Sequence, residues 1–212
     1  RMLGTLRSVS LRGKPIVVLN PMRERGLERF ENPQSPTQML TVGSTPLASS
    51  YYQVKVGGDV AAIKGVMKAL FEEDHAQVQR GEHGLLDLEF IAEHTVGFEE
   101  LKADIEATSW QKITARSGLK REAIEQMAMV YWSSKNVIIC YGMGITQHRH
   151  GTEAVQQLTN LLMLRGNIGR EGAGICPLRG HSNVQGDRTV GITEIPTEAF
   201  LDRLDKAFGI NA

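Results

Sequence analysis

Four places in this chain combine residue types that can bind or transform a small polar ligand. In Arg179-Gly180-His181 a guanidinium lies two residues from an imidazole. The guanidinium can clamp a small oxyanion through paired, charge-assisted hydrogen bonds, and the imidazole can carry a proton near neutral pH. The residues alone leave a plain alternative open, in which Arg179 pairs with a structural carboxylate and His181 is a satisfied loop residue. In Gly57-Gly58-Asp59 two glycines would let a planar ligand approach the backbone, and the carboxylate could accept two parallel N–H bonds from a guanine edge. The competing role for Asp59 is to N-cap the helix that follows. Gly142-Met143-Gly144, followed by Gln147, is a turn whose backbone N–H groups can hold a phosphate. Asn20, in Leu19-Asn20-Pro21, can meet a ribose hydroxyl or simply cap its own turn.

The elements that must position these residues alternate between strands and helices. Ile16–Leu19, Tyr51–Val56 and Asn136–Tyr141 are apolar, β-branched runs that read as strands, the last buried on both faces. Val60–Glu73 has apolar residues at helical spacing behind Asp59, and Leu85–Thr95, Phe98–Ala107, Lys120–Ser133 and Glu153–Arg165 read as further helices. Arg23–Ser50 has no clean period and reads as a long covering loop. Gly166–Gly174 interleaves glycine with Asn167, Arg170 and Glu171, a composition that predicts poor core and good anion-binding surface. A last helix, Glu198–Phe208, carries Phe200, Leu201, Leu204 and Phe208 on one side behind Thr197. The alternation predicts an α/β domain with a three-layer, mostly parallel, doubly wound sheet. Ligands of such sheets sit beyond the carboxyl ends of the strands, where three of the four places fall: Asn20, Gly57-Gly58-Asp59 and Gly142–Gly144.

Composition narrows the function classes. Lys plus Arg and Asp plus Glu are 24 each, so the formal charge is zero and the basic surplus of a nucleic-acid binder is missing. No apolar run of about 18 residues is present, so no membrane span is expected. Residues 1–13 lack the apolar core of a signal peptide. Cys140 and Cys176 are the two cysteines, with no CxxC pair; they suit a reducing, cytoplasmic setting, with Cys140 an inert core residue. His148-Arg149-His150 brackets an arginine and has no third ligand in register, so no metal ligand is assigned to this chain. The chain opens on Arg1 within a helical pattern and reads as a piece of a longer protein.

The stretch Tyr141–Gly186 carries a specific resemblance. YGMGITQH, then LTNLLMLRGNIGREGAGICPLRGHSNVQGDR, closely resembles the catalytic subunits of formate dehydrogenase, in the dimethyl sulfoxide reductase superfamily of molybdopterin oxidoreductases. The order of elements agrees from the Asn20-Pro21 strand end through Gly57-Gly58-Asp59 and Gly97-Phe98-Glu99-Glu100.

The resemblance implies an oxidoreductase with molybdenum or tungsten held by two molybdopterin guanine dinucleotides. This chain would be the α/β domain that binds one dinucleotide. It implies that Asn20 meets the ribose, Asp59 the guanine, and Gly142, Met143, Gly144 and Gln147 the phosphate and pterin region. Arg179 matches the arginine that orients the substrate carboxylate, and His181 stands where formate dehydrogenases place an amide. The implied substrate is formate or a related small oxyanion. The implied partners are the remaining domains of the same polypeptide and an electron-transfer partner, and an iron–sulfur cluster would lie outside this stretch. Residues 1–180 would form the cofactor domain and 181–212 a glycine-rich crossover and helix leading toward a partner domain. The chain alone would be inactive. Two alternatives stay open. One is a nicotinamide- or flavin-binding Rossmann domain, disfavoured because Gln147 stands where a third glycine belongs; the other is a non-catalytic nucleotide-binding scaffold.

Overall fold

A computed structural model describes residues 2–31, 43–181, 183–193 and 195–210. The chain divides into two compact units, Arg1–Pro177 and Leu178–Ala212, and each is taken by itself.

In the first unit a helical core carries short strand pairs. After α1 (Met2–Leu11) come β1 (Val17–Leu19), α2 (Arg25–Glu28), β2 (Arg29–Phe30), β3 (Thr45–Pro46) and β4 (Ser50–Tyr52). The helices α3 (Asp59–Gln79), α4 (Leu88–His94), α5 (Phe98–Ala107), α6 (Trp110–Ser117) and α7 (Arg121–Ser133) follow, then β5 (Ile138–Tyr141), α8 (Met143–Thr146), α9 (Gly151–Met163) and β6 (Gly174–Pro177). The strand pairs β1–β4 and β5–β6 are parallel, and β2–β3 is antiparallel. The expected covering loop between Arg23 and Ser50 thus contains α2, β2 and β3, and its residues 32–42 lie outside the described ones.

The fold is α/β with parallel strand pairs, but the expected three-layer, doubly wound sheet is not what the described residues form. Their strands make three separate two-stranded sheets. The expected strand Tyr51–Val56 shows why. It leaves the ladder after Tyr52, because Val54 is buried and the Lys55 N–H donates to the Ser117 carbonyl at 2.8 Å. The segment docks on the end of α6 instead of extending the sheet. The strand at β5 was expected to be buried on both faces; its residues instead alternate, with Ile139 and Tyr141 against the core and Ile138 and Cys140 exposed.

The core is built around α3. Met67, Leu70, Ile105, Ile113, Ile124 and Leu162 are fully buried, each contributing about 1.5–3 kcal/mol of transfer free energy. At Gly65 an added Cβ would stand 2.9 Å from methyls of both Ile113 and Ile124. A missing side chain therefore lets α3 lie close to α6 and α7. Helix α6 escapes a periodicity reading because Ile113 is its one buried apolar residue. Its signals are local: the Ser109 hydroxyl accepts from the Lys112 N–H, and Gly118 closes it in the left-handed region.

The glycine-rich stretch after α9 corrects another expectation. Asn167 is wholly buried. Its Oδ1 accepts from the Val137 N–H at 3.1 Å and from the Arg170 guanidinium at 2.8 Å, while its Nδ2 donates to the Tyr131 hydroxyl at 3.3 Å. Tyr131 in turn donates to the Leu161 carbonyl. The Arg165 guanidinium donates to the carbonyls of Leu85, Tyr131 and Ser134. These residues staple α7, α9 and the entry to β5 together, so Asn167 and Arg170 are structural rather than anion-binding. Burial pushes the Tyr131 phenol up to about 12, so it donates as a neutral hydroxyl at any physiological pH.

The second unit holds α10 (Val184–Thr189) and α11 (Glu198–Phe208). Thr197 precedes α11 as expected, although its hydroxyl makes no capping bond, and Gly209 closes the helix in the left-handed region. No residue of α11 is buried, and Phe208 is 72% exposed.

Removing the Asn167 side chain leaves the Val137 N–H without its acceptor and takes one partner each from the Tyr131 hydroxyl and the Arg170 guanidinium. Asn167→Ala should destabilise the folded chain by about 3 kcal/mol, read as a lower midpoint in urea unfolding with the slope unchanged. A loss under about 1 kcal/mol would show that the network is not holding the three elements.

Candidate functional site

Asp59 is placed by backbone packing. Gly57 turns the chain in the left-handed region, and a Cβ at Gly58 would meet the Arg116 and Lys55 carbonyl oxygens at 2.8 and 2.9 Å. Gly58 is therefore required by the approach of the α3 start to the end of α6, not by a ligand. Lys55 reinforces this contact by donating its Nζ to the Ala115 carbonyl at 2.9 Å. Gly58, not Asp59, is the N-cap of α3, and Asp59 is its first residue. Its carboxylate is half-buried. Burial raises its pKa, with its own backbone N–H and the charge of His148 pulling the other way.

His148 comes from the turn between α8 and α9. Ile145 packs on the core, and Gly151 sits so close to the Thr146 carbonyl that no side chain fits there. Those two contacts fix the loop. Within it the His150 N–H donates to His148 Nδ1 at 3.3 Å and the Gly151 N–H to the His148 carbonyl at 3.0 Å. With Nδ1 accepting, the ring N–H sits on Nε2. That Nε2 is buried and has no hydrogen-bond partner. A buried ring nitrogen without a hydrogen-bond partner therefore lies within electrostatic reach of the half-buried Asp59 carboxylate. The sequence reading set His148 aside because it tested only a metal role; the signal that could have found it is its position one residue beyond Gln147.

The remaining candidates fall as follows. Asn20 sits at the end of β1, where its N–H donates to the Tyr52 carbonyl and its Oδ1 accepts from the Met22 N–H at 3.3 Å. That is the turn-capping role. Gly142 precedes α8 and Gly144 lies within it, and a Cβ at either would meet nothing within 4 Å. Met143, Gly144 and Gln147 are exposed beside them. Asp59 and the Gly142–Gln147 turn are thus linked through His148. Arg179 and His181 belong to the second unit and are exposed there. A hollow of about 400 Å³ lined by Leu85, Leu86, Lys135, Arg165 and Arg170 lies elsewhere, on the structural network around Arg165. Those arginines are already donating to carbonyls, so the hollow is not a stronger candidate than the surface at Asp59.

Comparison with known proteins points to one family. Residues 44–202 match the family model described as molybdopterin oxidoreductase. Protein YdeP of Escherichia coli is 56% identical over 209 residues, covering 99% of this chain and 28% of that protein. Formate dehydrogenase H of Escherichia coli is 31% identical over 174 residues, covering 78% of this chain and 23% of that protein. Among solved structures, acetylene hydratase from Pelobacter acetylenicus superposes with a TM-score of 0.63 at 19% identity, over 81% of this chain and 20% of its own. The chain therefore spans between a fifth and three tenths of the length of these relatives.

The raised pKa of Asp59 has a definite thermodynamic sign. The folded state holds this proton more tightly than the unfolded chain, so stability falls as pH rises through the window between the ordinary carboxyl value and the raised one. Above that window Asp59 is a net cost. Asp59→Asn should unfold at a higher temperature than the parent at neutral pH, with the difference shrinking to nothing in acid. Calorimetric scans across pH check this, and a lower Tm for the variant at pH 7 would rule it out.

Proposed function

Because the chain belongs to the molybdopterin oxidoreductase family, we propose that Asp59 and His148 hold the guanine end of a molybdopterin guanine dinucleotide in a formate-dehydrogenase-like enzyme. The observation that carries this reading is the meeting of two groups at one place: a half-buried carboxylate whose pKa burial raises, and a buried imidazole Nε2 without a hydrogen-bond partner. The Watson–Crick edge of guanine presents two N–H donors beside a carbonyl acceptor. The donors suit Asp59 and the carbonyl suits the His148 Nε2–H. Adenine offers one donor and no carbonyl and meets the demand less well.

On this reading the open Gly142–Gly144 turn presents backbone N–H groups to the phosphates, with Met143 and Gln147 beside it. Asn20 offers its amide to the ribose. When bound, the group supplies two-electron redox chemistry at its molybdenum or tungsten. Arg179 orients a small carboxylate, formate or a related oxyanion, by its planar fork, and His181 takes or returns the proton of the reaction. These roles belong to the intact protein, with its other domains and an electron-transfer partner; the 212 residues alone would not turn over.

Asp59→Asn in the intact protein should lower the guanine nucleotide released by acid treatment at least tenfold, read by chromatography beside metal analysis. Full guanine retention would remove Asp59 from the site, nicotinamide in the extract would favour a different dinucleotide, and guanine without metal would point to a scaffold. Arg179→Lys keeps the charge but loses the fork. With normal metal loading it should lower formate turnover roughly a hundredfold, about 3 kcal/mol in the transition state. Unchanged turnover would make Arg179 structural.

A further inference from the structure

Cys140 and Cys176 are the two cysteines of this chain, and Cys140 was read as an inert core residue. The fold places them side by side. In the parallel ladder between β5 and β6, Cys140 is the register partner of Cys176. Both are exposed, on the face of the pair opposite Ile139 and Tyr141, which pack on the core. Adjacent strands lie about 4.8 Å apart, inside the roughly 4.4–6.8 Å Cα separation that a disulfide spans. The side chains of register partners project to the same face. Burial, followed by the neighbouring Cys176, pushes the Cys140 thiol up. This outer face is otherwise sparse, with Ile138 57% exposed beside the pair.

We propose that Cys140 and Cys176 form a reversible dithiol–disulfide pair, a modification site for low-molecular-weight disulfides such as oxidised glutathione. One cysteine thiolate attacks a sulfur of the disulfide RS–SR, forming a mixed disulfide and releasing RS⁻, which takes up a proton. The neighbouring cysteine, as thiolate, then attacks the protein-side sulfur, closing the Cys140–Cys176 bond and releasing the second RS⁻. Two protein thiols are oxidised and RS–SR is reduced to two RSH. The ladder holds the second thiol at the first, so the mixed disulfide resolves within the chain. The bond ties β5 to β6 immediately before the Gly142–Gly144 turn, and the pairing stands whether or not that turn holds a dinucleotide.

The test treats the reduced, natively folded intact protein with oxidised glutathione, blocks remaining thiols with N-ethylmaleimide in denaturant, and maps peptides without reductant by mass spectrometry. The expected product is a cross-linked peptide joining Cys140 to Cys176 that dithiothreitol abolishes. Cys140→Ser should leave Cys176 as a stable glutathione adduct, and Cys176→Ser the reverse. Maleimide on both cysteines of the treated parent would overturn the proposal. So would a glutathione adduct persisting there, or a bond from either residue to any other cysteine.

Discussion

A single buried amide sets much of this structure. Asn167 leaves no surface to solvent, so each of its polar atoms must find a protein partner, and it finds them on three different segments. Through Val137 it fixes where β5 begins, and through Tyr131 it fixes the end of α7 against α9. The strand and the turn it feeds inherit their position from that point. An apolar residue of the same size could fill the space but could not specify the register. Directional bonds in a dry interior give that specificity, because any alternative packing leaves a donor stranded.

Where the network is fully satisfied, the surface at Asp59 is the reverse. Rigid backbone contacts at Gly58 and Gly151 bring a carboxylate and an imidazole close without a hydrogen bond between them. The contrast is informative because both regions are held by tight packing. One closes its hydrogen bonds internally, and the other keeps them open on a rigid frame. Local instability on a stiff scaffold is the usual mark of binding surfaces.

Much of this was legible in the residues, and the misses have physical reasons. Helix α5 and the centre of α7 followed from apolar spacing, and the start of α3 from Asp59 and the glycines before it. The glycines before Asp59 were assigned to a ligand, whereas Gly58 serves helix packing. Strand β6 was hidden because Gly174-Ile175-Cys176-Pro177 has neither the length nor the alternation of a strand; its pairing with β5 exists only in three dimensions. Asn167 was misread for the same reason. Composition marks an asparagine among glycines as surface, and only the convergence of Tyr131, Val137 and Arg170 makes it interior. His148 needed a neighbour from far along the chain before it meant anything.

The ladder between β5 and β6 also determines which changes in chain length this region tolerates. Side chains of a strand alternate between faces, so gaining or losing one residue inside β6 would swap the exposed set with the core-facing one. Cys176 would turn toward the helices and Ile175 toward solvent. The glycine-rich segment before β6 is anchored at Asn167, and the chain after β6 enters the second unit directly, at Leu178. With one end anchored, a slip is not easily absorbed on that side. Substitutions on the outer face of β6 are therefore a milder class of change than insertions or deletions of a single codon. Variation among related chains should accumulate there as replacements rather than as gaps.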